Sequence, residues 1–248
     1  MKQIIQKIQS KPIVAILFIL AVGGIVLFLS KISSDAVRSF IQSSDKSNFY
    51  SDNVLFKLFI LLYSLGSILL LNKGNLKGYG FSIPKKVKYF KLLLQTAGLT
   101  IGSLLVGGIV FIFLMNTLFP TGNVQGFQKP SSLIQLILVV WIWSSLCEEV
   151  LVRGLIQGFI QNITKKKIAK LSIPILVSGL FFGAMHSMLF FSGMSLWFVC
   201  HIVFFATVLG TFAAYQREKT GSILPAFYVH FVGNVVGAIP MIVMLIIK

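Results

Sequence analysis

Leu133-Ile-Gln-Leu-Ile-Leu-Val-Val-Trp-Ile-Trp-Ser-Ser-Leu-Cys-Glu148-Glu149-Val-Leu-Val-Arg153-Gly154 is an apolar run with two adjacent carboxylates inside it. As a helix this stretch is about 33 Å long, enough to cross a roughly 30 Å hydrocarbon core. An ionised carboxylate is costly in hydrocarbon, so two of them, with an arginine four residues on, mark a functional site by default. The chain has only six acidic residues. Asp35, Asp45, Asp52 and Glu218 fall in stretches that read as polar loops, which leaves Glu148 and Glu149 as the pair needing an explanation.

The rest of the sequence repeats the apolar theme. Of 248 residues 56% are hydrophobic and 11% charged, which excludes an ordinary soluble domain. The apolar runs are continuous rather than alternating, which excludes an outer-membrane barrel. The fold class expected is all-α, a polytopic transmembrane helix bundle. Seven spans are expected, at Pro12–Leu29, Val54–Leu71, Leu92–Leu118, Leu133–Ile160, Leu171–Phe191, Leu196–Tyr215 and Ile223–Ile247. A break at Pro240 would make eight, and Gly107-Gly108 marks a place where the third could tilt or break. Two parts are expected, helices 1–3 in residues 1–125 and a core of helices 4–7 in residues 130–248. The first run follows Lys2, Lys7 and Lys11, is longer than a signal-peptide core and lacks a small-residue cleavage site, so a retained helix is expected.

Net charge is +16. The lysines cluster at the ends of apolar runs, where they meet anionic lipid and set topology; nucleic acid is therefore not an expected partner, and the lipid bilayer is. With a cytoplasmic N-terminus, fifteen basic residues lie inside: Lys2, Lys7, Lys11, Lys73, Lys77, Lys85, Lys86, Lys88, Lys91, Lys165, Lys166, Lys167, Lys170, Arg217 and Lys219. Outside lie Lys31, Arg38, Lys46, Lys57, Lys129 and Lys248, so the N-in orientation follows. Cys147 and Cys200 both fall within spans, where a disulfide framework is not expected. Small residues four apart, at Gly98/Gly102, Gly154/Gly158, Gly179/Gly183 and Gly233/Gly237, favour close helix packing within the molecule.

Three segments carry polar groups that hydrocarbon would otherwise exclude. They are Glu148, Glu149 and Arg153; Phe182 and His186; and His230 and Asn234. Glu149 and Arg153 are one helical turn apart and can pair, whereas Glu148 is rotated by about 100° and is freer to face a cavity. Phe182 lies one turn before His186 and can pack beside it. Glu148 precedes Lys165 by 17 residues, His186 follows Lys170 by 16 and Asn234 follows Lys219 by 15. At 1.5 Å per residue all three stand about 22–26 Å from the basic loops, at one membrane level. A carboxylate, two imidazoles and an amide converging in a dry site suit hydrolysis of a carbonyl compound. The carboxylate acts as general base on water, one histidine orients the water or protonates the leaving amine, and the other, with Asn234, faces the oxyanion.

Glu148-Glu149-x-x-x-Arg153-Gly154, Phe182-x-x-x-His186 and His230-x-x-x-Asn234 together resemble the three motifs of the CAAX-protease and bacteriocin-processing family, also called the Abi family. Thr220-Gly-Ser-Ile-Leu-Pro225 resembles its run before the last motif, and the first three spans resemble nothing familiar. The resemblance implies an intramembrane endopeptidase in which Glu148 activates water with His186, while His230 and Asn234 form the oxyanion site. Glu149, Arg153 and Phe182 are supporting residues.

A purely structural salt bridge explains Glu148, Glu149 and Arg153 but leaves His186 and His230 at the same depth unexplained. His201 has no motif around it and reads as a core histidine. Cys147 points about 100° from Glu148 and reads as packing. A zinc site through Glu148, His186 and His230 is chemically open, but without a His-Glu-x-x-His helix, and with Asn234 a poor ligand, the metal-free mechanism is expected. The alternative function is a non-catalytic membrane immunity or scaffold protein binding a peptide partner; a transporter lacks the inverted repeat it needs. The Lys-rich, Ile-rich composition fits a multi-pass protein of a Gram-positive plasma membrane. The expected substrate is then a bacteriocin or pheromone precursor, a CAAX-type chain or a small membrane protein. The last residues, Leu-Ile-Ile-Lys248, form no lipidation motif.

Overall fold

The computed structural model describes residues 2–41, 51–84, 86–121, 132–164, 166–239 and 242. Without water in the bilayer core, a spanning segment must satisfy its backbone internally, and this chain does so with helices. They are α1 (Lys2–Gln9), α2 (Pro12–Ile41), α3 (Asn53–Leu71), α4 (Tyr89–Leu118), α5 (Leu133–Ile160), α6 (Ile173–Met185), α7 (Leu196–Thr220) and α8 (Leu224–Gly237). Six helical stretches, α2 to α7 with α6 extended by a 3-10 turn to Ser192, are long and apolar enough to cross a membrane; α8 is shorter. The protein is an all-α polytopic bundle. Among the described residues the one departure is a small hairpin, Lys167–Ile168 with Leu171–Ser172, which joins α5 to α6.

Local chemistry sets the helix ends. The Ser132 and Ser172 hydroxyls accept from the backbone N–H groups of Gln135 and Ile175, capping α5 and α6. Gly221 ends α7 in the left-handed conformation, at φ 73°. Along the spans, Ser30, Thr96, Thr207 and Thr211 each donate to the carbonyl four residues back, so their hydroxyls need no water.

α5 is the central helix. Leu151, Val152, Leu155 and Ile156 are fully buried against Ile19 of α2, Ile60 and Ile68 of α3, Phe182 of α6 and Ala206 of α7. One core therefore runs through both halves of the chain. Exposed apolar side chains such as Phe28, Leu70, Phe90, Ile101 and Leu138 form the outer surface, as a lipid-facing bundle requires.

Glycines set the closest approaches. Gly179 and Gly183 of α6 lie against Thr211 and Thr207 of α7, where an added Cβ would collide with backbone atoms; Gly158 lies against Tyr79, and Gly233 against Leu209. Gly98 and Gly102 are different. Nothing lies within 4 Å of a Cβ at either, so this pair faces outward and serves no packing inside the molecule.

Several sequence expectations change. α2 continues to Ile41, twelve residues beyond Leu29, so the front of the Lys31–Asn53 stretch is helix, with Lys31 and Asp35 paired at 2.8 Å one turn apart. Glu218 is not in a loop but in the last turn of α7, hydrogen-bonded to the Ser172 hydroxyl. Arg217 beside it is no surface charge either. Only 1% exposed, it donates to the carbonyls of Arg153 (3.2 Å) and Gly78 (2.9 Å) and to the Gln161 side chain. Those partners lie on α5 and its end and in the loop before α4, so this cation staples helices and loop together rather than facing lipid headgroups. The third span does not break at Gly107-Gly108; the helix passes into a π-helical stretch, Gly108–Met115. The break expected at Pro240, and Lys46, Lys85, Lys129, Lys165 and Lys248, lie outside the described residues.

Candidate active site

α5 is not a uniform α-helix. Leu136–Ser144 and Val150–Ile156 are π-helical, and Ser145–Glu149 is a single α-helical segment between them. The Ser144 hydroxyl accordingly reaches back five residues, to the Val139 carbonyl at 3.0 Å. Such wide turns are rare and concentrate at functional sites. Here they bracket the two glutamates.

Glu149 is completely buried, and its Oε1 accepts from the Arg153 guanidinium at 2.7 Å. Arg153, equally buried, donates to the Gly210 carbonyl of α7 at 2.7 Å and lies over the Phe182 ring, 4.5 Å from its centroid. Gly210 makes this possible: a Cβ there would stand 2.8 Å from Phe182 and 3.2 Å from the guanidinium. The same Glu149 oxygen accepts from His230 Nδ1 at 3.1 Å. His230 Nε2, on the other side of the ring, is 3.7 Å from Glu148 Oε2. Successive residues on a helix point about 100° apart, so an imidazole from α8 lying between the two directions touches both carboxylates.

His186 caps the C-terminus of α6, and its Nδ1 bonds the Phe182 carbonyl at 2.7 Å. A ring nitrogen bonded to a carbonyl is the donor, which leaves Nε2 as the acceptor in the neutral ring. The Phe182 ring stands between the two histidines, T-shaped to each, with both centroid distances 5.0 Å. Asn234 donates from Nδ2 to the Ser145 hydroxyl at 3.0 Å and keeps a second N–H. All seven residues singled out from the sequence thus meet at one place. Glu148, Glu149 and Arg153 are buried at its floor, whereas His186, His230 and Asn234 are only partly buried above them.

Two members of this cluster were not singled out from sequence. The first is Ser145, three residues before Glu148 and so on its side of the helix. The second is Lys57, counted above as an outside topological charge. That count is corrected: Lys57 sits inside α3, and its ammonium donates to Glu148 Oε1 at 2.5 Å. Glu148 is therefore engaged rather than free, against the expectation drawn from helical rotation. A depth signal existed. Lys57 precedes Lys73 by 16 residues, the spacing that places His186. His201 takes no part, buried on α7 against Gly107, and Cys147 and Cys200 are free thiols.

Residues 130–236 match the model of the Rce1-like type II CAAX prenyl endopeptidase family. The match covers less than half of the 248 residues, so it is this segment that is similar to that family. Members of the family are proteases, and the segment lies within a bundle of membrane-length helices. No curated protein and no solved structure matches the chain. The Rce1-like segment contains Glu148, Glu149, Arg153, Phe182, His186, His230 and Asn234. It does not contain Lys57. Among the described residues, no three His, Cys, Asp or Glu side chains are grouped to hold a metal.

Proposed function

We propose that this protein is an intramembrane endopeptidase that hydrolyses a peptide bond of a membrane-associated substrate through water activated by Glu148. The observation that carries the reading is His230, which touches Glu149 with one ring nitrogen and faces Glu148 with the other. That arrangement sets a candidate base and an imidazole side by side, 3.7 Å apart, where both can face one substrate carbonyl group.

The step runs as follows. Glu148 takes a proton from water, aided by the His186 Nε2 lone pair, and the oxygen adds to the scissile carbonyl carbon. The carbonyl oxygen becomes an oxyanion held by the remaining Asn234 N–H and by His230, whose ring must carry a proton on both nitrogens to donate from Nε2 while Nδ1–H serves Glu149. Collapse breaks the C–N bond, and the proton held by Glu148 passes to the leaving nitrogen, giving a carboxylic acid and an amine. Glu149 holds His230 by its Nδ1–H, and Arg153 balances Glu149.

A zinc ion fits this residue set poorly. The Lys57 ammonium already lies on Glu148 Oε1, where a divalent cation would have to displace it. The mechanism we propose is accordingly metal-free. The substrates we propose are CAAX-type chains, bacteriocin or pheromone precursors or small membrane proteins in a bacterial plasma membrane. The test is a mass-spectrometric comparison of membrane and secreted peptides from cells making wild type or Glu148→Ala. Products present only with wild type are expected, with turnover lowered by about 10²–10⁴-fold in the variant. Identical peptide sets would overturn the reading and favour a binding role.

A further inference from the structure

α5 brings two carboxylates into the bundle and only one cation. Arg153 serves Glu149, its contact at 2.7 Å. Among the described residues of the Rce1-like segment, the basic partner of Glu148 is the partly buried His230 at 3.7 Å. The deficit is met from elsewhere in the chain. Lys57 stands on α3, its side chain 14% exposed, with Nζ 2.5 Å from Glu148 Oε1 and 5.2 Å from the Phe56 ring centroid. With it the cluster holds two carboxylates and two basic side chains, the pairing that intramembrane charges require.

The contact is built rather than incidental. One turn before Lys57, the Val54 carbonyl accepts from Trp143 Nε1 at 3.3 Å, tying α3 to α5 just ahead of the acid pair. One turn after it, Ile60 is fully buried in the core that α5 centres. A lysine on an outer helix ordinarily turns its head toward water; this one is held inward on both sides. Its ammonium grips one carboxylate oxygen, which turns the other, Oε2, toward His230.

We infer that Lys57 is a positioning residue of the active site, supplied by a helix outside the Rce1-like segment, which fixes the Glu148 carboxylate by an intramembrane ion pair. The inference deepens the protease reading and rests on it for the role of Glu148. Lys57 touches no reacting atom in this scheme. Its loss should therefore slow turnover and leave substrate binding alone.

Two measurements on the full-length protein in liposomes separate the inference from that reading. In the first, the chain is treated with dicyclohexylcarbodiimide, which modifies intramembrane carboxyl groups not held in an ion pair, and labelling at Glu148 is followed by mass spectrometry. Lys57→Met should label faster than wild type and Lys57→Arg at the wild-type rate, with Glu148→Gln as the blank; equal rates in wild type and Lys57→Met overturn the ion pair. In the second, cleavage of a farnesylated, quenched-fluorescent CAAX peptide is measured. Lys57→Met should lower kcat by about a hundredfold with KM unchanged, as expected for a misplaced catalytic group, and Lys57→Arg should recover most of it. A Lys57→Met protein that cleaves at the wild-type rate overturns the role. A wild type that leaves this peptide intact counts against the CAAX-type reading, and the labelling result then still decides the pairing.

Discussion

The helices of the Rce1-like segment and those before it differ in what their polar residues announce. In α5, α6 and α8 the acids, histidines and asparagine interrupt apolar runs near mid-span, and Glu149, His230 and Asn234 find partners on other helices of the same segment. In α2 and α3 the charged groups lie toward the ends of the runs, where a lysine ordinarily signals topology. Yet Lys57 reaches the same cluster, and Ile19, Ile60 and Ile68 share a core with Leu151 and Ile156. The lesson is that the boundary of a recognisable segment need not be the boundary of a working site.

The sharpest way to test that comparison is at the floor. Arg153→Met removes the cation from a fully buried pair and should cost about 3–5 kcal/mol, because it strands the Glu149 charge. Thermal unfolding in detergent measures it; a change below about 1 kcal/mol would mean the pair contributes little. Ile60→Ala comes next, at about 2–5 kcal/mol for emptying a buried core position. A near-neutral result would make α3 a loosely attached shell and break the claim of one core. Ser145→Ala removes the acceptor that orients Asn234, for about 0.5–1.5 kcal/mol of stability. Turnover should fall with KM unchanged, and a rise in KM alone would place Asn234 in substrate binding instead. Gly102→Ala should be silent within about 0.5 kcal/mol, since nothing lies near it. A marked loss there would reveal a neighbour beyond the single chain.

Much of this was legible in the sequence. Continuous apolar runs gave the bundle because a run long enough to span lipid must satisfy its backbone by folding as a helix. Six of the seven site residues stood out because hydrocarbon penalises them, Phe182 because it lies one turn before His186, and a common depth linked their helices. The contacts that depend on neighbouring helices were not legible. Nothing local distinguishes Arg217, buried under Arg153, from the exposed Lys219 two residues on. Gly210 reads as ordinary until Phe182 and Arg153 are seen against it. The π-helical turns of α5 were missed because the reading assumed a uniform 3.6-residue pitch.

One feature of the floor also bears on the route that a substrate can take. Below the Glu149–Arg153 pair, Gln157, Ile160, Tyr79 and Arg217 are packed almost without exposure, and Arg217 laces the Gly78 and Arg153 carbonyls together. The bundle is corked at that end. For the reaction proposed above, a substrate would have to reach Glu148 past the partly buried His186, His230 and Asn234 side chains, since a chain threaded from the corked end would have to uproot an arginine before any chemistry began.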